Sequence, residues 1–255
     1  MNLAIERTAD RPLKVVLVAG GRWHDIDFAR LELLRLLGED ERVRVEVLSD
    51  YGDGAAIEAA DFLVTYTCDV IPDVDTQRTL RDYVERGGRW FALHGTNSIL
   101  AFLEGGKVDA PDHAPLFMDT LGTAFVAHPP IGSYRVEVTN PDHPLTSGID
   151  PFDTTDELYL SRTVAAIETL LHCEFEGAAP AFVADHWELT QQPVLYVRSL
   201  GKGAVLYLTL GHCRGHYDMR PLVDYFPEVQ RGSWDLPVFN ELVRRGIAWA
   251  KRELG

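Results

Sequence analysis

The chain has 255 residues, 46% hydrophobic and 25% charged, a balance that supports a full buried core and excludes disorder and collagen-like repeats. Its 24 Lys and Arg against 39 Asp and Glu give a formal charge of −15, which repels phosphate backbones and anionic lipid surfaces, so neither nucleic acid nor membrane is expected as a partner. No apolar run approaches the roughly 18 residues of a spanning helix, and the first residues carry acids where a signal peptide is basic and then apolar, so a cytoplasmic setting is expected.

After a polar leader over residues 1–12, residues 13–19 form a continuous apolar run ending at Gly20-Gly21, the pattern of a strand buried on both faces. Phe28, Leu31, Leu34, Leu36 and Leu37 recur at roughly helical spacing up to Gly38, and residues 43–48 predict a second strand. Residues 61–66 predict a third strand, 74–86 an amphipathic helix stopped by Gly87-Gly88, and 90–93 a fourth strand entering a sharp turn at His94-Gly95. This alternation predicts an open, doubly wound, mostly parallel α/β sheet. Glycine and proline then break the middle of the chain, from Gly105-Gly106 to Pro144, into an inserted β-rich excursion. Strand-like runs cover 133–139, 166–175, 181–184, 194–199 and 204–210, the last two joined by a hairpin signal at Gly201-Lys202-Gly203. Residues 237–254 read as an amphipathic helix. No repeat or linker divides the chain, so one domain over 13–255 is expected.

In open α/β sheets, ligands bind beyond the carboxyl ends of the strands. Four of the nine histidines fall there: His24 after the first strand, His94 at the exit of the fourth, His128 after residues 123–127, and His212 after 206–211. Imidazole is the commonest metal donor, so converging histidines with a carboxylate suit zinc or a similar divalent ion. The carboxylate candidates are Asp156 and Glu157, although an acid there can equally satisfy backbone donors at the start of an element. Cys68, Cys173 and Cys213 lack CxxC spacing, which argues against a disulfide framework or an all-cysteine zinc site. The turn at Leu93-His94-Gly95-Thr96-Asn97 has the strand–turn–helix form of a nucleophile elbow, but a histidine holds the exposed position, so glutaminase chemistry lacks its nucleophile. Gly20-Gly21 does not complete GxGxxG, and no phosphate-binding GxxxxGK motif is present, so no nucleotide cofactor is expected.

Taken in order, Gly20-Gly21 with His24, Leu93-His94-Gly95, Phe125 with His128-Pro129, His143-Pro144-Leu145-Thr146-Ser147-Gly148, Asp156-Glu157-Leu158-Tyr159, the run 201–212 and Gly246-Ile247-Ala248-Trp249-Ala250 resemble the trehalose-utilisation, or ThuA-like, family. The chain departs from the family pattern at Tyr196, where members often carry tryptophan, and at Ala204, where arginine is common. The resemblance implies a flavodoxin-like, class I glutamine amidotransferase-like fold without the catalytic cysteine, and a role in carbohydrate metabolism. Family members are associated with disaccharides oxidised to 3-keto sugars by a partner dehydrogenase. A ketone at C3 acidifies the C2 proton, so a base can remove it and let the C1 substituent leave, or return it and isomerise the sugar. On this resemblance His94, Glu157 and His212 are the expected catalytic residues, and His24, His94, His128 and His212 the metal ligands. Trp23, Asp25, Asn97 and Tyr159 are expected to line the sugar pocket. The alternative is a non-catalytic carbohydrate-binding or dehydrogenase-partner module on the same fold.

Overall fold

The computed structural model describes residues 11–254, so most of the polar leader lies outside the described residues. The first apolar run is buried from Val15 to Gly20 in β1 (Leu13–Gly21), which lies between two parallel neighbours, β2 (Val43–Leu48) and β3 (Phe62–Cys68). The crossovers are α1 (Ile26–Leu37) and α2 (Gly54–Ala59), whose first turns are capped by Asp25 and Asp53 accepting from the backbone N–H of Phe28 and Ala56. α3 (Val74–Glu85), capped likewise by Asp73, leads to β4 (Arg89–Leu93), parallel to β3. A 3₁₀ turn at His94–Asn97 follows, then β5 (Ala101–Phe102), β6 (Val108–Asp109), α4 (Pro115–Leu121), β7 (Thr123–Ala127), β8 (Gly132–Val138), β9 (Phe152–Asp156) and β10 (Leu160–Thr163). The long hairpin strands β11 (Glu168–Ala178) and β12 (His186–Leu200), then β13 (Gly203–Leu208) and α5 (Pro237–Ala250), complete the order.

One nine-stranded sheet runs in the order β2-β1-β3-β4-β13-β12-β11-β8-β9. It is parallel from β2 to β13 and antiparallel from β13 to β9. The expected parallel sheet therefore holds for one end only, and in the β-rich middle of the chain β8 and β9 extend that sheet while β5–β6 and β7–β10 form two-stranded sheets apart from it. The turn at Gly201-Lys202 is the physical reason: it sets Leu200 opposite Gly203, so the strand beyond β13 is hairpin-linked and must reverse direction. Residues 181–184, expected as a strand, instead form the tie between β11 and β12. There Phe182 N–H donates to Ala179 O, Ala179 N–H donates to Asp185 O, and only an isolated bridge joins Phe182 to Val108. The last helix ends at Ala250 rather than Leu254, with Arg252 beyond it in left-handed backbone at φ 64°.

Alternating side chains of the central strands feed two cores. Leu17, Phe91 and Leu206 pack with α1 and α5 on one face, and Val16, Val18, Trp90 and Tyr207 with α2, α3 and α4 on the other. Among the described residues no helix is long and apolar enough to cross a membrane.

The exit of β1 requires glycine. A Cβ on Gly21, whose φ is 103°, would lie 1.9 Å from the carbonyl oxygen of Cys68. Gly21→Ala is therefore expected to cost at least about 2 kcal/mol, combining left-handed strain with displacement of β3. A shift of under about 0.5 kcal/mol in urea denaturation, the ordinary range for a neutral surface change, would contradict that.

Candidate metal centre

The exits of β1, β4, β9 and β13 bring His24, His94, Glu157 and His212 into one buried group, in which one ligand atom from each residue lies within 4.8 Å of the others. His94 is fully buried in left-handed backbone at φ 42°, and Trp23, beside His24, is also left-handed at φ 71°. Such non-glycine conformations cost on the order of 1–3 kcal/mol each and persist only where the surroundings impose them. Asp156, at the end of β9, organises the Glu157 and His212 side of the group. Its carboxylate accepts the backbone N–H of Glu157, Gly211 and His212, and both the N–H and hydroxyl of Ser233. One buried side chain thus ties the ends of β9 and β13 to the turn before α5.

Hydrogen bonds on the far side of two rings aim their near nitrogens. His94 Nδ1 lies 2.8 Å from the Thr209 carbonyl and His24 Nδ1 3.4 Å from the Arg22 carbonyl, so each Nδ1 donates and each Nε2 keeps its lone pair. Those two Nε2 atoms face each other at 2.9 Å, which is repulsive unless a cation lies between them. A proton on His24 is disfavoured, because burial, outweighing the pull of Glu157, pushes this imidazole down to about 3. Glu157 Oε2 sits 3.4 Å from His24 Nε2, 3.5 Å from His94 Nε2 and 3.5 Å from His212 Nδ1. His212 Nδ1 and Glu157 Oε1 are buried without a hydrogen-bond partner among the described residues. Burial works against ionising Glu157, yet the surrounding imidazoles, His128 and His212 first, hold its carboxyl well below the usual range. Three imidazoles, one carboxylate and orphaned donor atoms fit a divalent metal with an open position.

His128 stands apart from this group. Its Nε2 lies 3.4 Å from Glu157 Oε1, the oxygen turned away from the other three rings, and its side chain is 26% exposed. Arg214 Nη2 approaches the same oxygen at 3.6 Å.

The sequence model of the ThuA family, described as trehalose utilisation, matches residues 14–226. The chain belongs to the ThuA family. A comparison with curated proteins yields no match. Among solved structures, the chain is similar to a ThuA-like protein from Bacteroides uniformis, with a TM-score of 0.65 and 18% identity over 95% of this chain and 93% of that one. It is also similar to a ThuA-like protein from Parabacteroides merdae, with a TM-score of 0.61 and 18% identity over 95% and 91% of the two chains. Part of a β-galactosidase from Rahnella sp. R3 matches as well, at a TM-score of 0.59 and 13% identity over 96% of this chain and 32% of that one. At these identities the likeness shows the fold. ThuA membership ties the chain to trehalose utilisation, and so to carbohydrate metabolism.

The residues expected to line a sugar pocket in this ThuA protein divide. Trp23 and Asp25 border a cavity of about 290 Å³ that reaches His24, with Arg22, Asp218 and Arg220 on its other walls. Both oxygens of Asp25 are engaged, one accepting the Phe28 N–H and the other pairing with Arg231 at 3.1 Å. Tyr159 packs its ring 4.5 Å from that of His94 and 4.6 Å from that of Phe125, forming a wall of the metal group. Asn97 is buried in the turn after β4, where its backbone N–H donates to Tyr207 Oη and its amide to Thr123 Oγ1. Sequence reasoning did not single out Arg214, Gln230 or Tyr66. Tyr66 stacks on His94 at 6.0 Å and donates to the Gly211 carbonyl.

The depressed pKa of the His24 imidazole makes stability depend on pH. The unfolded chain takes up this proton near its ordinary 6.5 and the folded metal-free chain only near 3, so the unfolded state holds more protons in between. Stability from this group is complete above about 6.5 and drains as pH falls toward 3, by up to about 1.4 kcal/mol per pH unit. Urea denaturation of metal-free protein between pH 4 and 7 is expected to show this slope, flattened in His24→Gln. Equal slopes in the two proteins would contradict it.

Proposed function

We propose that this ThuA protein is an enzyme that removes the proton beside the ketone of an oxidised, 3-keto sugar or glycoside, such as a trehalose derivative. What supports this reading is a buried set of three imidazoles and one carboxylate with lone pairs converging at the carboxyl ends of the strands, beside a polar cavity. His24, His94, Glu157 and His212 would hold a divalent metal, zinc or similar, which when bound supplies Lewis-acid stabilisation of negative charge developing on the ketone oxygen. Through this role His94, Glu157 and His212 contribute to catalysis.

Proton transfer falls to His128. Its Nδ1–H donates to the Pro129 carbonyl at 2.7 Å, so in the neutral ring Nε2 carries the lone pair, and its partial exposure leaves it accessible to substrate. His128 Nε2 accepts the C2 proton; the C2–H electron pair forms the C1–C2 double bond; the C1–O bond breaks with its electrons on oxygen. The leaving oxygen then takes the proton back from His128. Return of the proton to C2 by His128 regenerates the substrate, and protonation of the opposite face of C2 before C1–O cleavage epimerises the sugar instead. Arg214, 3.6 Å from Glu157 Oε1, balances the carboxylate between His128 and the metal group. The ketone itself must come from an oxidation carried out elsewhere, for which a cytoplasmic sugar dehydrogenase is the natural partner.

The test is incubation with a 3-keto glycoside in deuterated water. Release of the C1 alcohol, deuterium at C2 of recovered substrate and a fall of about 10²–10⁴-fold in His128→Ala are expected, the range for loss of a general base. Sugar binding that survives chelation with no turnover would overturn the enzymatic reading in favour of a carbohydrate-binding module.

A further inference from the structure

The loop of residues 215–229 is tied to the metal group through Gln230. The side-chain oxygen of Gln230 lies 2.8 Å from His212 Nε2 and 3.2 Å from Arg214 Nη1. A guanidinium only donates, so the amide atom it faces is the acceptor oxygen, and the ring nitrogen sharing that oxygen must carry a proton. With the proton on Nε2, His212 keeps its lone pair on Nδ1, the atom 3.5 Å from Glu157 Oε2 that has no other partner. The glutamine is itself held. Arg214 N–H donates to Gln230 O at 2.9 Å and Gln230 N–H to Arg214 O at 2.8 Å, closing the loop at its base. Arg214 also donates its Nε–H to the Trp23 carbonyl at 3.2 Å, which locks the guanidinium between the β1 exit and Glu157.

We propose that Gln230 is a positioning residue: its amide oxygen fixes His212 in the Nε2–H tautomer, so that Nδ1 is the atom offered to a metal, and it holds Arg214 against Glu157. The consequence for metal affinity rests on the function proposed above; the tautomer is a property of the metal-free chain. Two measurements separate these. Long-range proton–nitrogen correlation spectra of metal-free protein labelled with ¹⁵N-histidine are expected to show His212 with a protonated Nε2 and an unprotonated Nδ1. That pattern is expected to survive in Gln230→Glu, which keeps the acceptor, and to give way to a mixture of tautomers in Gln230→Leu. Titration with zinc ion alone is expected to give affinities within a few fold for wild type and Gln230→Glu, and 10–100-fold weaker for Gln230→Leu, the range for loss of a partner that orients a ligand. An unchanged His212 tautomer in Gln230→Leu, or its loss in Gln230→Glu, overturns the proposal. Absence of zinc binding by the wild type overturns the metal reading instead, while the tautomer comparison still decides the role of Gln230.

Discussion

Asp156→Ala is expected to destabilise the protein by about 4–5 kcal/mol and to remove metal binding from whatever fraction folds. The carboxylate is fully buried. Oδ1 accepts from Glu157 N at 2.7 Å and His212 N at 3.0 Å, and Oδ2 from Gly211 N at 3.0 Å, Ser233 N at 2.9 Å and the Ser233 hydroxyl. Each buried donor left without an acceptor costs about 1–3 kcal/mol, and local relaxation recovers part of that, which places the loss at the top of the range for single substitutions. Two of the donors belong to Glu157 and His212, so the metal group loses its spacing even where the fold survives. Asp156→Asn keeps the shape but turns an NH₂ toward N–H donors, and about 2–3 kcal/mol is expected. Urea denaturation followed by circular dichroism measures both; a cost below about 1 kcal/mol for the alanine variant would show that the carboxylate is not the clamp described.

Glu157→Gln is expected to separate holding from folding. The amide matches the volume of the carboxyl but brings no charge to balance a divalent ion among three imidazoles. Zinc affinity is expected to fall at least 100-fold, about 2.8 kcal/mol at 1.4 kcal/mol per tenfold. Turnover of a 3-keto glycoside is expected to fall with it, while the unfolding midpoint of the metal-free protein stays close to that of the wild type. His128→Ala is expected to do the reverse, keeping zinc and losing turnover, because its ring meets only the outward oxygen of Glu157. Calorimetric titration with zinc checks the pair, and equal affinity for wild type and Glu157→Gln would remove the carboxylate from the metal site.

The parallel half of the sheet was legible because β1, β3, β4 and β13 are buried on both faces, as in the run 13–19 followed by Gly20-Gly21, whereas β2 at the edge is only partly buried. The same feature pointed to three members of the buried group, since His24, His94 and His212 each follow such a strand. The strand-exit rule does not measure depth, and His128, at the exit of β7, lies outside the four-residue group while still facing Glu157. β7 pairs with β10 in a two-stranded sheet separate from the nine-stranded one, whereas His24, His94 and His212 follow strands of the large sheet. Short polar residues carry more than one role: Asp25 borders the cavity and also caps α1 and pairs with Arg231, while Asn97, in the turn after β4, donates its amide N–H to Thr123. Asp156 reads as a local cap, and its reach across β9, β13 and the turn before α5 depends on contacts 55 to 77 residues away. Gln230 and Arg214 lie in irregular backbone with no period to mark them.

Under the function proposed, His24, His94, Glu157 and His212 hold a divalent metal, which elemental analysis of protein purified without a metal-affinity tag, set beside His94→Ala and Glu157→Gln, puts to the test. About one divalent ion per chain in the wild type, lost in both folded variants, is the predicted result. Folded wild-type protein that carries no metal and takes up none from added zinc or manganese would contradict it.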